Sequence, residues 1–356
     1  MVIDLAQFCS AAGDDVTVIC SPDRIEQHFL KTLSEARGIK LVFSPMRREI
    51  GLHDVKDAWK LLRNLRKVGP FDIIHGHSSK AGALVRIAGI FLPKAKKVYT
   101  AHGFITMAPA ASRVYRLIEK ILGLFCNAIV AVSEGEGRHA LSIGLPASKV
   151  KVIPNGTAMT DQKPRDEARR ELGIPQDQLA LGLVGRMESQ KNPVLAVEAF
   201  ALASKKYPEL NFYLIGEGSL IPQVDKKIKK HKLQNKVLML GFKNSRQLMA
   251  AFDALVCSSD YETLPITFLE ALNAGVPVIT RHVGGVEEAI LENETGFLAK
   301  TQSAEGLAEA IRAFAATTPD QRRAMHEKTK QHAKNFTQRR MGLATRQLYA
   351  ELMKAR

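Results

Sequence analysis

Four cysteines in 356 residues, far apart and without a C-x-x-C pair, offer no disulfide framework. Cys9, Cys20, Cys126 and Cys257 each sit among apolar neighbours, which points to buried, reduced thiols in a cytosolic protein. Long hydrophobic runs are also missing. The longest, "ILGLFCNAIVAV", carries Asn127 and falls short of the roughly 18 apolar residues of a spanning helix. No basic stretch followed by an apolar core opens the chain, so no secretion signal is expected. Aromatic residues make up 6 %, and no nucleic-acid recognition motif accompanies them, which leaves charge as the sole argument for such a partner. H-E-x-x-H, P-loop, G-x-S-x-G and Asp-x-Asp patterns are absent, so no metal or cofactor is expected.

Hydrophobic residues reach 46 %, enough for full cores, and the length suggests about two domains. The formal charge is +15, and residues 1–160 carry 22 Lys/Arg against 13 Asp/Glu. Such a basic half suits a polyanionic partner: nucleic acid, acidic lipid or a phosphorylated substrate. The plainer alternative is a solvated surface.

Short β-branched runs alternate with amphipathic stretches. The first half holds "DVTVIC", "IKLVFSP", "FDIIHGH", "KKVYTAH", "AIVAVS" and "VKVIPNG", and the second "LALGLVGRM", "NFYLIGEG", "KVLMLGF", "ALVCSS" and "VPVIT". Strand and helix in alternation imply parallel sheets covered on both faces. Two such series predict an α/β chain of two doubly wound, Rossmann-like domains, over 1–158 and 179–335, with a polar linker at 159–178 and a closing helix over 336–356. The chain opens with "MVIDLAQFCSAAG", read as a helix with Val2, Leu5, Ala6 and Cys9 on one face and Gly13 as its stop. Doubly wound domains normally open with a strand, so a first strand and its glycine turn are expected to be lacking.

Ligands of such sheets sit beyond the C-terminal strand ends, which directs attention to the polar residues there. In "GLVGRMESQKNP" a strand ends at Gly185, followed by Arg186 and Lys191, with Asn192 and Pro193 as cap and first residue of a helix. A guanidinium fork and a point charge suit a diphosphate, although either cation alone is ordinary surface basicity. In "SSDYETLPITFLEALNAGVPVIT", Glu262 precedes a helix starting at Pro265, Glu270 lies between one and two turns inside it, and Gly275 ends it. The first-turn N–H groups, around Pro265 to Phe268, favour an anion, and two carboxylates can read two pairs of vicinal hydroxyls. The plainer reading is dipole complementation for Glu262 and solvent exposure for Glu270. The G-x-G of "NFYLIGEGS" alone marks a tight turn more often than a ligand loop. His102 ends a strand before a glycine. His75 and His77 alternate along another strand end and are expected on opposite faces, which argues against a shared metal site.

The succession GRMESQKNP, YLIGEGS, LMLGF, LVCSSDYETLPITFLEALNAGVPVI and GG-x-x-E resembles the donor domain of the retaining GT-B glycosyltransferases of family four. The Glu, seven residues, Glu motif is that group's mark. "VYTAHGF", "AIVAVSEGE" and "VKVIPNG" extend the likeness over nearly the whole chain. The resemblance implies the GT-B fold, two domains facing across a cleft. It also implies hexosyl or N-acetylhexosaminyl transfer from a UDP-sugar to a glycan or undecaprenyl-linked acceptor in exopolysaccharide, capsule or lipopolysaccharide synthesis. Arg186 and Lys191 would hold the donor diphosphate, Glu270 the ribose, and Glu262 the transferred sugar beside the amides of Leu264, Pro265, Ile266 and Thr267. His102 would contact the sugar or its transition state. Gly185, Gly216 and Glu217 would lie by the nucleotide, and Ser133 and Asn155 would line the cleft. Metal is not required, since the cations and helix end supply positive charge. The basic, amphipathic "SRVYRLIEKILGLF" could rest on an anionic membrane at the inner face of the plasma membrane, or pack into the core with a solvated back. The alternative function is a non-catalytic sugar-nucleotide-binding protein of the same fold.

Two departures stand out. Thr263 follows the first glutamate where many relatives have glycine. The family's opening strand and glycine turn, which approach donor phosphate and acceptor, have no counterpart before "MVIDLAQFC". Reduced activity is therefore expected relative to a version extended by that strand and turn, and equal turnover of the two would overturn this.

Overall fold

A computed structural model describes residues 1–22, 38–47, 51, 53–108, 112–158 and 162–355. The chain divides into two compact units, Met1–Ala158 with Gln338–Arg356, and Met159–Thr337.

The first unit opens with α1 (Val2–Ala11), then β1 (Val16–Cys20), β2 (Ile39–Phe43), α2 (His53–Val68), β3 (Ile73–His77), α3 (Ser79–Gly89), β4 (Lys96–Thr100), α4 (Arg113–Leu124), β5 (Ala128–Ala131), α5 (Glu134–Ser142) and β6 (Val150–Val152). All strand pairs among the described residues are parallel. They fall into a β1-β2 pair and a β3-β4-β5-β6 sheet. The four-stranded sheet is covered on both faces because its apolar residues alternate between them. Val98, Ala128 and Val130 meet Leu5 and Cys9 of α1, while Tyr99 and Ile129 meet Phe104, Ala140 and Leu145. Of the face expected for α1, Leu5, Ala6 and Cys9 are buried and Val2 is half-buried, and Asp4 is buried with them.

Helix α4 turns out inverted relative to an ordinary core helix. Its inner face carries Glu119, 4 % exposed, paired at 2.8 Å with the fully buried Arg86 of α3. The Arg86 guanidinium lies 4.0 Å from the Tyr99 ring centre. Val114, Leu117 and Leu124 are 61 %, 58 % and 63 % exposed, so the apolar side of this helix faces outward.

The second unit comprises α6 (Arg165–Leu172), β7 (Leu179–Val184), α7 (Pro193–Ala203), β8 (Leu210–Ile215), α8 (Ile221–Lys230), β9 (Val237–Met239), α9 (Ser245–Leu248), β10 (Ala254–Cys257), α10 (Ile266–Ala274), β11 (Val278–Thr280), α11 (Val286–Ala289), β12 (Gly296–Leu298), α12 (Ala304–Ala315) and α13 (Pro319–Ala333). Its single parallel sheet runs β12-β11-β10-β7-β8-β9. The chain builds outward from β7 in one direction, then returns to add β10 on the other side. Strand order therefore reverses between β7 and β10, and their C-terminal ends flank the crevice where doubly wound sheets take ligands.

The expected linker over 159–178 needs correction. Residues 159–161 lie outside the described residues, and from 165 onward the segment is packed structure. Arg169 of α6 is fully buried. Its guanidinium donates to the carbonyls of Ala251, Pro175, Gln176 and Gln178 and to Asp253 Oδ2 at 2.8–3.0 Å. Asp253 Oδ2 also accepts from the N–H of Ala180 at 2.6 Å, which sets the start of β7. One charged side chain thus fastens this polar segment to the sheet.

The last helix, α14 (Gln338–Lys354), belongs to the first unit. Gly342 lets it approach α1, since a Cβ there would lie 2.2 Å from the Phe8 ring. Arg346 grips Asp14 through two bonds of 2.8 and 2.9 Å.

Arg169→Ala is expected to lower the denaturant midpoint of the second unit by the equivalent of about 3–5 kcal/mol, because it removes the buried donor of four carbonyls and leaves Asp253 with the more exposed Arg165 as its cation. Arg169→Lys keeps the charge but not the fork of donors and should recover only part of the loss in the same titration.

Candidate functional site

The loop after β7 is shaped by what packs on it. The N–H of Gly185 donates to Ile215 O, Met187 N–H to Glu217 O, and Leu220 N–H to Met187 O, at 2.8–3.0 Å. The G-x-G turn after β8 therefore lies directly against this loop. Cβ atoms at Gly216 and Gly218 would fall 1.9 and 2.4 Å from the carbonyls of Gly185 and Met187. These glycines allow close approach of two backbones, the tight-turn role. Asn192, in the left-handed region with φ 45°, caps α7 by accepting from Leu195 N–H, and Pro193 is the first helical residue.

The loop after β10 is stitched to the same segment. Ser258 Oγ donates to Lys191 O at 2.7 Å, Asp260 N–H to Gln190 O at 2.9 Å, and Gln190 Nε2 to Tyr261 O at 3.3 Å. Arg281, at the end of β11, holds the loop from behind, with Nη1 on the carbonyls of Ser258 and Ser259 and on Asp260 Oδ1. At the junction, Lys191 Nζ lies 2.5 Å from Glu262 Oε1, which also accepts from Ser259 Oγ at 2.8 Å. Both charged side chains are largely enclosed, at 18 % and 9 % exposed. The ammonium has further N–H donors for an incoming anion.

Helix α10 begins beside this pair. Pro265 lacks an N–H, and Phe268 and Leu269 donate to Pro265 O. The expected row of free amides from Pro265 to Phe268 thus narrows. Within Pro265–Phe268 this leaves the N–H groups of Ile266 and Thr267 without an acceptor among the described residues. Lys191, Ser258, Ser259, Thr267 and Phe268 line a pocket at this strand end. Gly275 closes the helix in the left-handed region with φ 74°. Leu264 and Pro265 are buried, and Glu270 is half-buried within α10. Arg186 and Glu217 are exposed, and Arg186 reaches Gln190 Oε1 at 3.5 Å. Glu262, Lys191, Thr267 and the G-x-G turn therefore converge on the β7/β10 switch, with Arg186 at its open side.

In the first unit, His75, His77 and His102 form a column. The rings of His75 and His77 stack at 4.1 Å and those of His77 and His102 at 5.3 Å. The expectation of opposite faces for His75 and His77 was wrong, because residues two apart on a strand share a face. His77 Nδ1 lies 3.0 Å from His102 Nε2. His75 is held by Thr100 Oγ1 at 2.7 Å and by Tyr349 OH of α14 at 2.6 Å. Burial pushes His77 down to about 4 and holds His75 and His102 well below the ordinary imidazole value, so the column is neutral near pH 7. Asn155 is buried and lines the same pocket as the three histidines. Ser133 was expected to line a cleft, but it is fully buried and its hydroxyl caps α5 by accepting from Glu136 N–H at 3.0 Å. Glu136 accepts from Gly103 N–H at 2.6 Å and from Val132 N–H at 2.7 Å. Burial drives its carboxyl up to about 7 against those two donors.

Sequence reasoning passed over Ser259, Arg281, Glu136 and Tyr349. Tyr349 lies 274 positions from its partner His75, beyond any local signal. Glu136 was legible in principle, as the third residue after a Ser cap.

A family model described as "Glycosyltransferase Family 4" matches residues 1–160, and one described as "Glycosyl transferases group 1" matches residues 164–332. The chain is 28 % identical over 325 residues to the UDP-Gal:alpha-D-GlcNAc-diphosphoundecaprenol alpha-1,3-galactosyltransferase of Escherichia coli, covering 83 % of this chain and 79 % of that protein. It is also 28 % identical to an uncharacterized 41.2 kDa protein in the cps region of Klebsiella pneumoniae, covering 87 % and 88 %. In fold it is similar to Anabaena HepE, solved with UDP and glucose, at a TM-score of 0.83, 20 % identity and coverage of 98 % and 95 %. The sucrose-phosphate synthase of Thermosynechococcus elongatus gives 0.83, 21 %, 100 % and 93 %.

Lys191→Met should destabilise the second unit by about 3 kcal/mol, since it leaves the enclosed Glu262 carboxylate without its partner. Adding Glu262→Gln should restore most of that loss. Denaturant midpoints of the two single variants and the double variant check this coupling.

Proposed function

This chain belongs to the family-four glycosyltransferases of the GT-B fold, and from that premise we propose that it moves a sugar, with retention, from a UDP-sugar to a lipid-linked glycan in cell-surface polysaccharide synthesis. The observation that carries this reading is the enclosed Lys191–Glu262 pair beside the free amides of Ile266 and Thr267, at the switch point of the second sheet.

Lys191, Arg186 and the start of α10 hold the diphosphate. Gly185, Gly216 and Glu217 border the nucleotide, and Glu270 accepts from the ribose hydroxyls. Glu262 accepts from hydroxyls of the transferred sugar, with the loop from Leu264 to Thr267 alongside. His102, neutral, serves the same sugar or its transition state, with Asn155 beside it. The bond between the anomeric carbon and the phosphate oxygen breaks while one forms to the acceptor oxygen on the same face, and the acceptor proton passes to the departing phosphate. Charge builds on the leaving diphosphate and on the sugar ring, and fixed cations and amides stabilise the first. Those groups supply the positive charge that a metal ion supplies in other transferases.

The E. coli relative acts on a diphosphoundecaprenol-linked sugar by its name, and we extend an acceptor of that class to this chain. Helix α4 fits the location. Its outward Val114, Leu117, Ile121 and Leu124 alternate with exposed Arg113, Arg116 and Lys120, a pattern suited to the face of an anionic membrane. No helix among the described residues is long and apolar enough to cross a membrane.

A thermal-shift panel of nucleotide-sugars should pick out a UDP-sugar, with the shift lost in Glu262→Ala and Lys191→Ala. No selective shift, or equal shifts in both variants, would sink the site. UDP release from the selected donor distinguishes a transferase from a binding protein. Flotation with phosphatidylglycerol vesicles should exceed that with neutral vesicles and fall in Leu117→Gln/Ile121→Gln, whereas indifference to anionic lipid would remove the membrane contact.

A further inference from the structure

The turn that carries His102 is held in an unfavourable shape. His102 has φ 54° and Gly103 φ 100°, so two successive residues occupy the left-handed region, and one of them bears a side chain. Such a conformation costs on the order of 1 kcal/mol or more and persists only where the surroundings over-determine it.

Two contacts do so from different elements. On the backbone side, Glu136 is fully buried. Its Oε1 takes the Gly103 N–H at 2.6 Å and its Oε2 takes the Val132 N–H at 2.7 Å, so one carboxylate bridges the ends of β4 and β5. On the ring side, His77 Nδ1 meets His102 Nε2 at 3.0 Å, with the planes 16° apart. His77 is in turn stacked on His75, which Thr100 and Tyr349 fix at both nitrogens. Ring and backbone of His102 are thus held independently, and among the described residues Nδ1 makes no hydrogen bond.

We propose that Glu136 and His77 are positioning residues that act through His102. Glu136 sets the turn, and His77 sets the tautomer and plane of the ring, so that Nδ1 is presented to a hydroxyl of the transferred sugar. This rests on the reading that His102 serves that sugar. The chemistry of the bridge makes the idea sharp. A carboxylate offers two acceptors to two N–H donors. The isosteric amide of Glu136→Gln offers one acceptor and one donor, so either way round an N–H meets an NH2 group. At position 77, Asn places an amide near the Nδ1 site, whereas Leu places nothing polar there.

The test uses the full chain labelled with 15N-histidine, together with UDP release from UDP-galactose or from the UDP-sugar picked out by the panel. In the wild type His102 should show one neutral tautomer, and Glu136→Gln and His77→Leu should give averaged signals, with His77→Asn nearer to wild type. His102→Ala should lower kcat about 100-fold, within the range for a lost transition-state contact. Glu136→Gln and His77→Leu should lower it at least 10-fold with KM for the donor changed less than 3-fold. Glu136→Gln combined with His102→Ala should be no slower than His102→Ala alone. Fully additive losses, or an unchanged tautomer in both Glu136→Gln and His77→Leu, would overturn the proposal. A silent His102→Ala would instead remove the role given to His102, while the tautomer signals would still report whether the clamp exists. Should Glu136→Gln fail to fold, the pair His77→Leu and His77→Asn decides alone.

Discussion

A lysine and a glutamate 71 positions apart meet at 2.5 Å where the second sheet reverses its strand order. Most of the features around them serve that meeting. The G-x-G turn presses the β7 loop into place, Asn192 caps the helix behind Lys191, and Arg281 anchors the loop that brings Glu262 forward. Neither charge is well hydrated, so each relies on the other, and the loops that carry them are fixed in register as a result. Loops beyond strand ends are usually mobile. Here the cross-links between residues 190–192 and 258–261 are numerous enough to make both loops one assembly.

The architecture was largely readable because parallel sheets buried on both faces leave continuous apolar runs. Strand β12 escaped because it is three residues long and opens with Gly296. The stretch "RDEARREL" read as linker since nothing local marks Arg169 as buried. Its burial depends on one carbonyl and an aspartate more than 70 residues away, together with a turn it closes itself.

At the candidate sites, residue types were legible and pairings were not. Sequence placed Lys191 and Glu262 at two strand ends, but not in contact. It marked a helix start as an anion site, while the number of free amides depended on Pro265 supplying an acceptor to its own helix. For the histidines the failure was one of periodicity. Two residues apart on a strand means the same side, which puts His75 beside His77, and the pairing of β3 with β4 then brings His102 to the end of the column.

The placement of α14 has a consequence for how this chain comes to be folded. The second unit is continuous in sequence, whereas the first is split, its core calling on Met341 and Leu348 and its histidine column on Tyr349. During synthesis the second unit can close as soon as it leaves the ribosome. The first must wait for the residues from Gln338 onward, with the α1 surface uncovered until they arrive. The unit begun first is therefore finished last, and release of the nascent chain after residue 337 but before residue 349 leaves a fully formed second unit attached to an open first one.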